Sequence, residues 1–187
     1  MKRRLPVLAM AAGLLLGSGC TPKSEEPGRE GPAREAEAAK VPRPSKDHSW
    51  TGEEIVFLKE KFGELQHSAS GLYFKVLQPG EGEEKPPRGK LCAVRYRGTF
   101  LNDKVFDERL KSPFKFRVGI GQVIRGWDEA VADMRRGEKR LVVVPYWLGY
   151  GEQGKVPYIM PRTTLVFEIE LEGWETTTGI PVAPAAH

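Results

Sequence analysis

The run Phe167-Glu168-Ile169-Glu170-Leu171-Glu172 alternates apolar and acidic residues without a break. A period of two puts Phe167, Ile169 and Leu171 on one face of an extended strand and the glutamates on the other, as in an antiparallel sheet with one dry side. Whatever else the chain contains has to fit such a sheet. Leu72 to Leu77, Leu91 to Phe100, Phe114 to Val118, Lys139 to Pro145 and Thr164 to Trp174 read as its strands. The turn signals Pro79-Gly80, Pro86-Pro87, Asn102-Asp103 and Gly149 to Gly154 separate them. One helix interrupts the series: Trp127, Ala130, Val131 and Met134 share a helical stripe, and Gly137 stands where a C-terminal cap belongs. The expected class is α+β, an antiparallel curved sheet forming a half-barrel around one short α-helix.

Upstream, Thr51 and Glu54 make a capping box, and Ile55, Leu58, Phe62 and Leu65 recur at spacings of three and four. An amphipathic helix over 51–68 is expected, with Gly63 weakening it by about 1 kcal/mol relative to Ala. Such a helix needs a partner, either a second copy or the sheet of its own chain. Residues 20–50 are rich in Pro, Ala, Glu, Lys and Arg and read as a disordered tether, and 175–187 read as a disordered tail.

The first residues have a basic start (Lys2, Arg3, Arg4), an apolar stretch from Leu5 to Leu16 and small residues up to Cys20. That order predicts a secretory signal peptide over 1–19. The apolar stretch is shorter than the roughly 20 residues a membrane-spanning helix needs. Leu-Leu-Gly-Ser-Gly-Cys resembles the lipobox of bacterial lipoproteins, with Gly17 in the place usually held by Leu. The resemblance implies acylation of Cys20 and a membrane anchor on the periplasmic or outer-surface side of a bacterial envelope; ordinary secretion with cleavage near Cys20 is the alternative. Cys92 lies in an apolar strand and reads as a buried free thiol.

The formal charge of +4 falls to +1 once Lys2, Arg3 and Arg4 are removed with the leader, which leaves no nucleic-acid footprint. His48, His67 and His187 are scattered, so neither a metal cluster nor a histidine-activated nucleophile is indicated, and no cofactor is expected. Gly119, Gly121 and Gly126 lack dinucleotide-loop spacing. Aromatic side chains are abundant instead, beyond what one small core can hide.

Val94-Arg-Tyr-Arg-Gly98, Val105-Phe-Asp107, Pro113-Phe-Lys-Phe-Arg-Val-Gly119, Val123-Ile-Arg-Gly-Trp127, Met134-Arg-Arg-Gly-Glu138, Gly149-Tyr-Gly151 and Thr164 to Leu171 follow one another in a characteristic order. In that order and approximate spacing, from about Gly71 to Trp174, the chain resembles the FKBP-type peptidyl-prolyl cis/trans isomerases. The resemblance implies a proline pocket walled by Tyr96, Phe106, Phe114, Val123, Ile159 and Phe167 and floored by Trp127. It also implies that the main-chain N–H of Ile124 and the hydroxyl of Tyr150 bond substrate carbonyls, while Asp107 presents a carboxylate at the wall. Macrolide-type inhibitors are implied ligands.

Two departures from the family pattern stand out. The segment Glu108 to Ser112 is shorter than usual, with Leu110 where an arginine commonly braces the aspartate and Arg109 beside it. Lys155 and the tip Val156 to Pro161 replace a more Gly/Pro-rich loop. The expected function is isomerisation of X-Pro bonds in proline-containing segments of envelope or secreted proteins. A non-catalytic peptide-binding chaperone and an assembly lipoprotein using the 52–66 helix are the alternatives.

Overall fold

A computed structural model of the 187-residue chain describes residues 41, 42, 44 and 46–175. The predicted leader, Cys20, most of the tether and the tail lie outside the described residues. In chain order the elements are α1 (Gly52–Phe62), β1 (Gln66–His67), β2 (Tyr73–Gln78), β3 (Leu91–Phe100), β4 (Val105–Arg117), α2 (Arg125–Asp133), β5 (Lys139–Val144) and β6 (Leu165–Trp174). The strands form one sheet in the order β1-β2-β5-β6-β3-β4, with every neighbouring pair antiparallel.

The alternation in β6 sets the two sides of the sheet. Phe167, Ile169 and Leu171 join Val94, Tyr96, Phe116, Val142 and Val144 in the main core, which packs on Trp127, Ala130 and Val131 of α2. Gly126 permits the close approach of α2 to β5, because a Cβ there would stand 2.6 Å from a Val144 methyl. Opposite, the wet half carries cross-strand ion pairs, Arg95 with Glu172 at 2.6 Å and Lys139 with Glu168 at 2.8 Å.

The outer face is not wet throughout. Leu58 of α1 reaches Leu101, Leu141, Val143 and Val166, joined at the edges by Val41, Trp50, Phe57, Phe62, Leu65 and Tyr73. Of the two partners foreseen for α1, its own sheet receives Leu58. Strand β5 is therefore covered on both sides, which explains why Leu141 to Val144 is apolar without alternation.

Three expectations are corrected. The helix foreseen over 51–68 ends at Phe62, because Gly63 turns the chain at φ 75° and the residues beyond it pair as β1. Ile55, assigned to its apolar stripe, is 41% exposed. The tether foreseen through residue 50 is already folded at its end, where the Trp50 indole N–H donates to the Gly71 carbonyl at 2.6 Å.

Strand β4 is also longer than the Phe114 to Val118 segment foreseen. It begins at Val105 and pairs with β3 through two register shifts, so Glu108 to Ser112 is strand and not loop. Helix α2 stops at Asp133, with Gly137 three residues past its C-cap Met134. The basic residues that follow α2 have separate partners. Arg140 is buried between Glu138 and Asp133 and stacks on Phe74, while Arg136 lies over the Trp174 ring.

Candidate active site

Trp127 is the centre of the site. It lies in the first turn of α2, where Ile124 acts as N-cap and its carbonyl accepts the amides of Trp127 and Asp128 at 2.9 and 3.2 Å. Only 5% exposed, the indole is surrounded by rings that meet it edge to face: Tyr96 at 4.7 Å, Phe167 at 5.2 Å and Phe114 at 6.2 Å between centroids. Edge-to-face packing directs ring edges at the π face, a favoured arrangement for aromatic pairs. Phe116 is buried and contacts the same indole at 6.0 Å. The indole Nε1–H is buried without an acceptor among the described residues.

The remaining wall residues gather on the same cluster. Phe106 meets Phe167 at 5.6 Å, Ile159 is buried in the core, and Val123, Ile124 and Tyr150 pack against it half-buried. Gly98 admits this packing, since a Cβ there would come within 2.8 Å of the Phe106 ring and 2.9 Å of the Phe167 ring. Every wall residue foreseen thus lies on one connected patch, with Asp107 joined to it through Tyr96.

That junction is polar. The Tyr96 hydroxyl donates to Asp107 Oδ2 at 2.7 Å. Burial pushes the Tyr96 phenol well above its ordinary value, the Asp107 carboxylate adds to the rise, and Arg109 partly opposes it. Arg109 faces Tyr96 across the β3–β4 ladder, and both it and Leu110 are exposed. The arginine beside the usual position therefore holds the charge next to this pair.

The Ile124 amide and the Tyr150 hydroxyl donate to no partner among the described residues. Tyr150 follows a 3-10 turn at Tyr146–Leu148, and its carbonyl accepts the Gly154 amide at 3.1 Å. Lys155 Nζ lies 5.7 Å from the Tyr150 ring centroid. The tip beyond is a tight bridge between Lys155 and Ile159, with Val156, Tyr158 and Met160 exposed. Gly154 has a packing reason: at φ +68° a Cβ would stand 2.5 Å from the Ile159 carbonyl oxygen.

Asp128 is the residue that sequence reasoning passed over. Its carboxylate accepts the amides of Gly119 and Gly121 at 2.9 and 2.7 Å, tying the turn that leads into Val123 and Ile124 to the start of α2. The available signal was an acidic residue in the first turn of a helix, just after a Gly-X-Gly segment. Burial, with Asp128 adding to it, pushes the Cys92 thiol up to about 12, so it is an inert core group.

The family model for FKBP-type peptidyl-prolyl cis-trans isomerases matches residues 82–172. FK506-binding protein 1 of Yarrowia lipolytica is 42% identical over 105 residues, covering 55% of this chain and 97% of that protein. FK506-binding protein 4 of Dictyostelium discoideum is 47% identical over 102 residues, and this chain spans 28% of its length. The crystal structure of AtFKBP13 superposes with a TM-score of 0.56 at 35% identity, covering 60% of this chain and 99% of that one. The chain belongs to the FKBP-type peptidyl-prolyl cis-trans isomerase family, and its curved antiparallel sheet around one helix is that family's fold.

Proposed function

We propose that this chain is an exported, lipid-anchored prolyl isomerase that assists folding of proline-containing envelope or secreted proteins. Isomerase activity follows from the family; the roles of individual residues, the anchor and the location are the proposal. The observation that carries the residue roles is the aromatic ring around Trp127, with Ile124 three residues before it in the chain and Tyr150 packed against the same core.

Rotation about an X-Pro bond breaks amide resonance against a barrier of about 18 to 20 kcal/mol and makes or breaks no covalent bond. No nucleophile is needed. The twisted amide is less dipolar than the planar one, so a dry aromatic site penalises it less, and fixed donors can hold the flanking carbonyls while the bond turns. Lowering the barrier by about 5 to 6 kcal/mol corresponds to roughly ten-thousandfold acceleration. Trp127 would seat the proline ring, Tyr96, Phe106, Phe114, Val123, Ile159 and Phe167 would enclose it, and Asp107 would present its carboxylate beside Tyr96.

The test is cis/trans relaxation of a short X-Pro peptide with wild type, Tyr150→Phe and Trp127→Ala. Acceleration by wild type, reduced in both variants, is expected. Relaxation unchanged by excess wild-type protein would point to a peptide-binding chaperone, a reading that the exposed Val156, Tyr158 and Met160 beside the site also support. For the anchor, the supporting features are the basic start, the short apolar stretch and Cys20. Cys20→Ser should release the protein from membranes, and retention of that variant would count against acylation. Stable anchoring takes more than a single acyl chain.

A further inference from the structure

The segment 46–71 lies outside the family-matched residues 82–172 yet is bonded to both elements that carry the site. Its turn Ser68–Gly71 is the junction. Ser70 Oγ donates to the Glu129 carboxylate at 2.7 and 2.8 Å, and Glu129 lies two residues beyond Trp127 in α2. The Ser70 carbonyl accepts the Trp147 indole N–H at 3.0 Å, and Trp147 belongs to the 3-10 turn that leads into Tyr150.

Trp50 closes the junction from outside. Its N–H donates to the Gly71 carbonyl at 2.6 Å, and its ring meets Trp147 at 5.6 Å and Tyr73 at 5.3 Å, both edge to face. His48 adds a stacked contact to Trp147 at 6.2 Å and an edge contact to Tyr146 at 5.6 Å. Gly71 is what allows both indoles in: at φ +92° its Cβ position lies 3.0 Å from Trp147 and 3.4 Å from the Trp50 nitrogen.

We infer that Trp50, acting through Gly71 and Trp147, is a positioning residue for Tyr150 and so for X-Pro isomerisation. Trp50 does not reach the site itself. Its clamp fixes the 3-10 turn from which Tyr150 projects, while the Ser70–Glu129 bonds hold the same turn of chain to the helix bearing Trp127. A donor acting on the twisted amide must be held within a fraction of an ångström, and a loosened mount costs turnover more than binding.

The inference rests on the isomerase reading with Tyr150 as donor, and the test separates the two. In the full chain, Trp50→Ala should lower kcat for an X-Pro peptide by about tenfold while KM changes less than about twofold. Trp50→Phe, which keeps a ring but loses the N–H, should fall between. Arg140→Ala is the stability control: it breaks the buried pair with Glu138 and lowers Tm, but its partners Glu138, Asp133 and Phe74 are not part of the junction, so its kcat well below Tm should equal that of wild type. Wild-type kcat in Trp50→Ala, or an equal loss in Arg140→Ala, overturns the inference and leaves the isomerase reading intact. A wild-type chain without acceleration overturns both.

Discussion

The Tyr96 hydroxyl donates to Asp107 Oδ2 at 2.7 Å from a ring that is itself buried against Trp127. The two partners stand unequally toward water, since Tyr96 is buried in the core and Asp107 is exposed on the edge strand. Removing one or the other should therefore have different costs. Tyr96→Phe keeps the ring and leaves a carboxylate that water can solvate, so about 1 kcal/mol of stability is lost. Asp107→Leu strands a buried hydroxyl, at about 1 to 3 kcal/mol. Urea unfolding of both variants measures the difference.

The same bond has a pH signature. Burial, then Asp107, raise the Tyr96 value in the folded chain. The folded state thus holds this proton more tightly than the unfolded one. Its contribution to stability is complete below the ordinary tyrosine value of about 10 and is lost as pH rises beyond it. Unfolding free energy measured from pH 8 to 11 should decline at the alkaline end in wild type and decline less in Tyr96→Phe.

Trp127 is contacted by Tyr96, Phe114, Phe116 and Phe167, so truncation opens a cavity where several rings converge. Trp127→Ala should cost about 3 to 5 kcal/mol and abolish measurable isomerisation. Trp127→Phe should cost less than the volume change alone suggests, because it also removes an indole N–H that has no acceptor among the described residues. Comparing Tm and kcat/KM across the two variants separates packing from seating of the proline ring.

How much of this was legible can be judged from individual elements. β3 was read from Leu91 to Phe100 and has those bounds, because its alternation reports one dry face. The first half of β4 was not legible: Asp107 to Lys111 is charged on both faces, as suits an edge strand whose pairing is set by β3 and not by burial of its own side chains. The aromatic wall emerged from the order of short motifs, which local pattern alone would have assigned to core. The Trp50–Gly71–Trp147 contact was invisible, because it joins residues of a polar, proline-rich approach to a turn far along the chain. Nothing in local periodicity encodes such a contact.

Helix α1 depends on one cap and one anchor. Thr51 Oγ1 accepts the Glu54 amide at 3.2 Å while Glu54 accepts the Thr51 amide at 2.9 Å, and Leu58 is the apolar side chain of the helix buried in the sheet's outer layer. Thr51→Ala should cost about 1 kcal/mol and Leu58→Ala about 2 to 5 kcal/mol. Hydrogen exchange of the α1 amides should accelerate in both.

Behind α2 lies a charged cluster whose members are unequal. Arg140 and Glu138 are both buried and bond at 2.6 Å, whereas Asp133, about half exposed, is shared between Arg140 and Lys85. Arg140→Ala would remove the buried ion-pair partner of the Glu138 carboxylate, at about 3 to 5 kcal/mol. Asp133 responds differently. Its burial raises its value, but Lys85 and Arg140 together outweigh that and hold the carboxyl below its ordinary range. A carboxyl depressed in the folded state stabilises above the unfolded value of about 4 and loses that contribution as pH falls through the folded value. Solvent screening keeps the effect small at this exposure. Wild type should therefore lose stability more steeply below about pH 4 than Asp133→Asn, and parallel acid-unfolding curves for the two would remove Asp133 from the pH response.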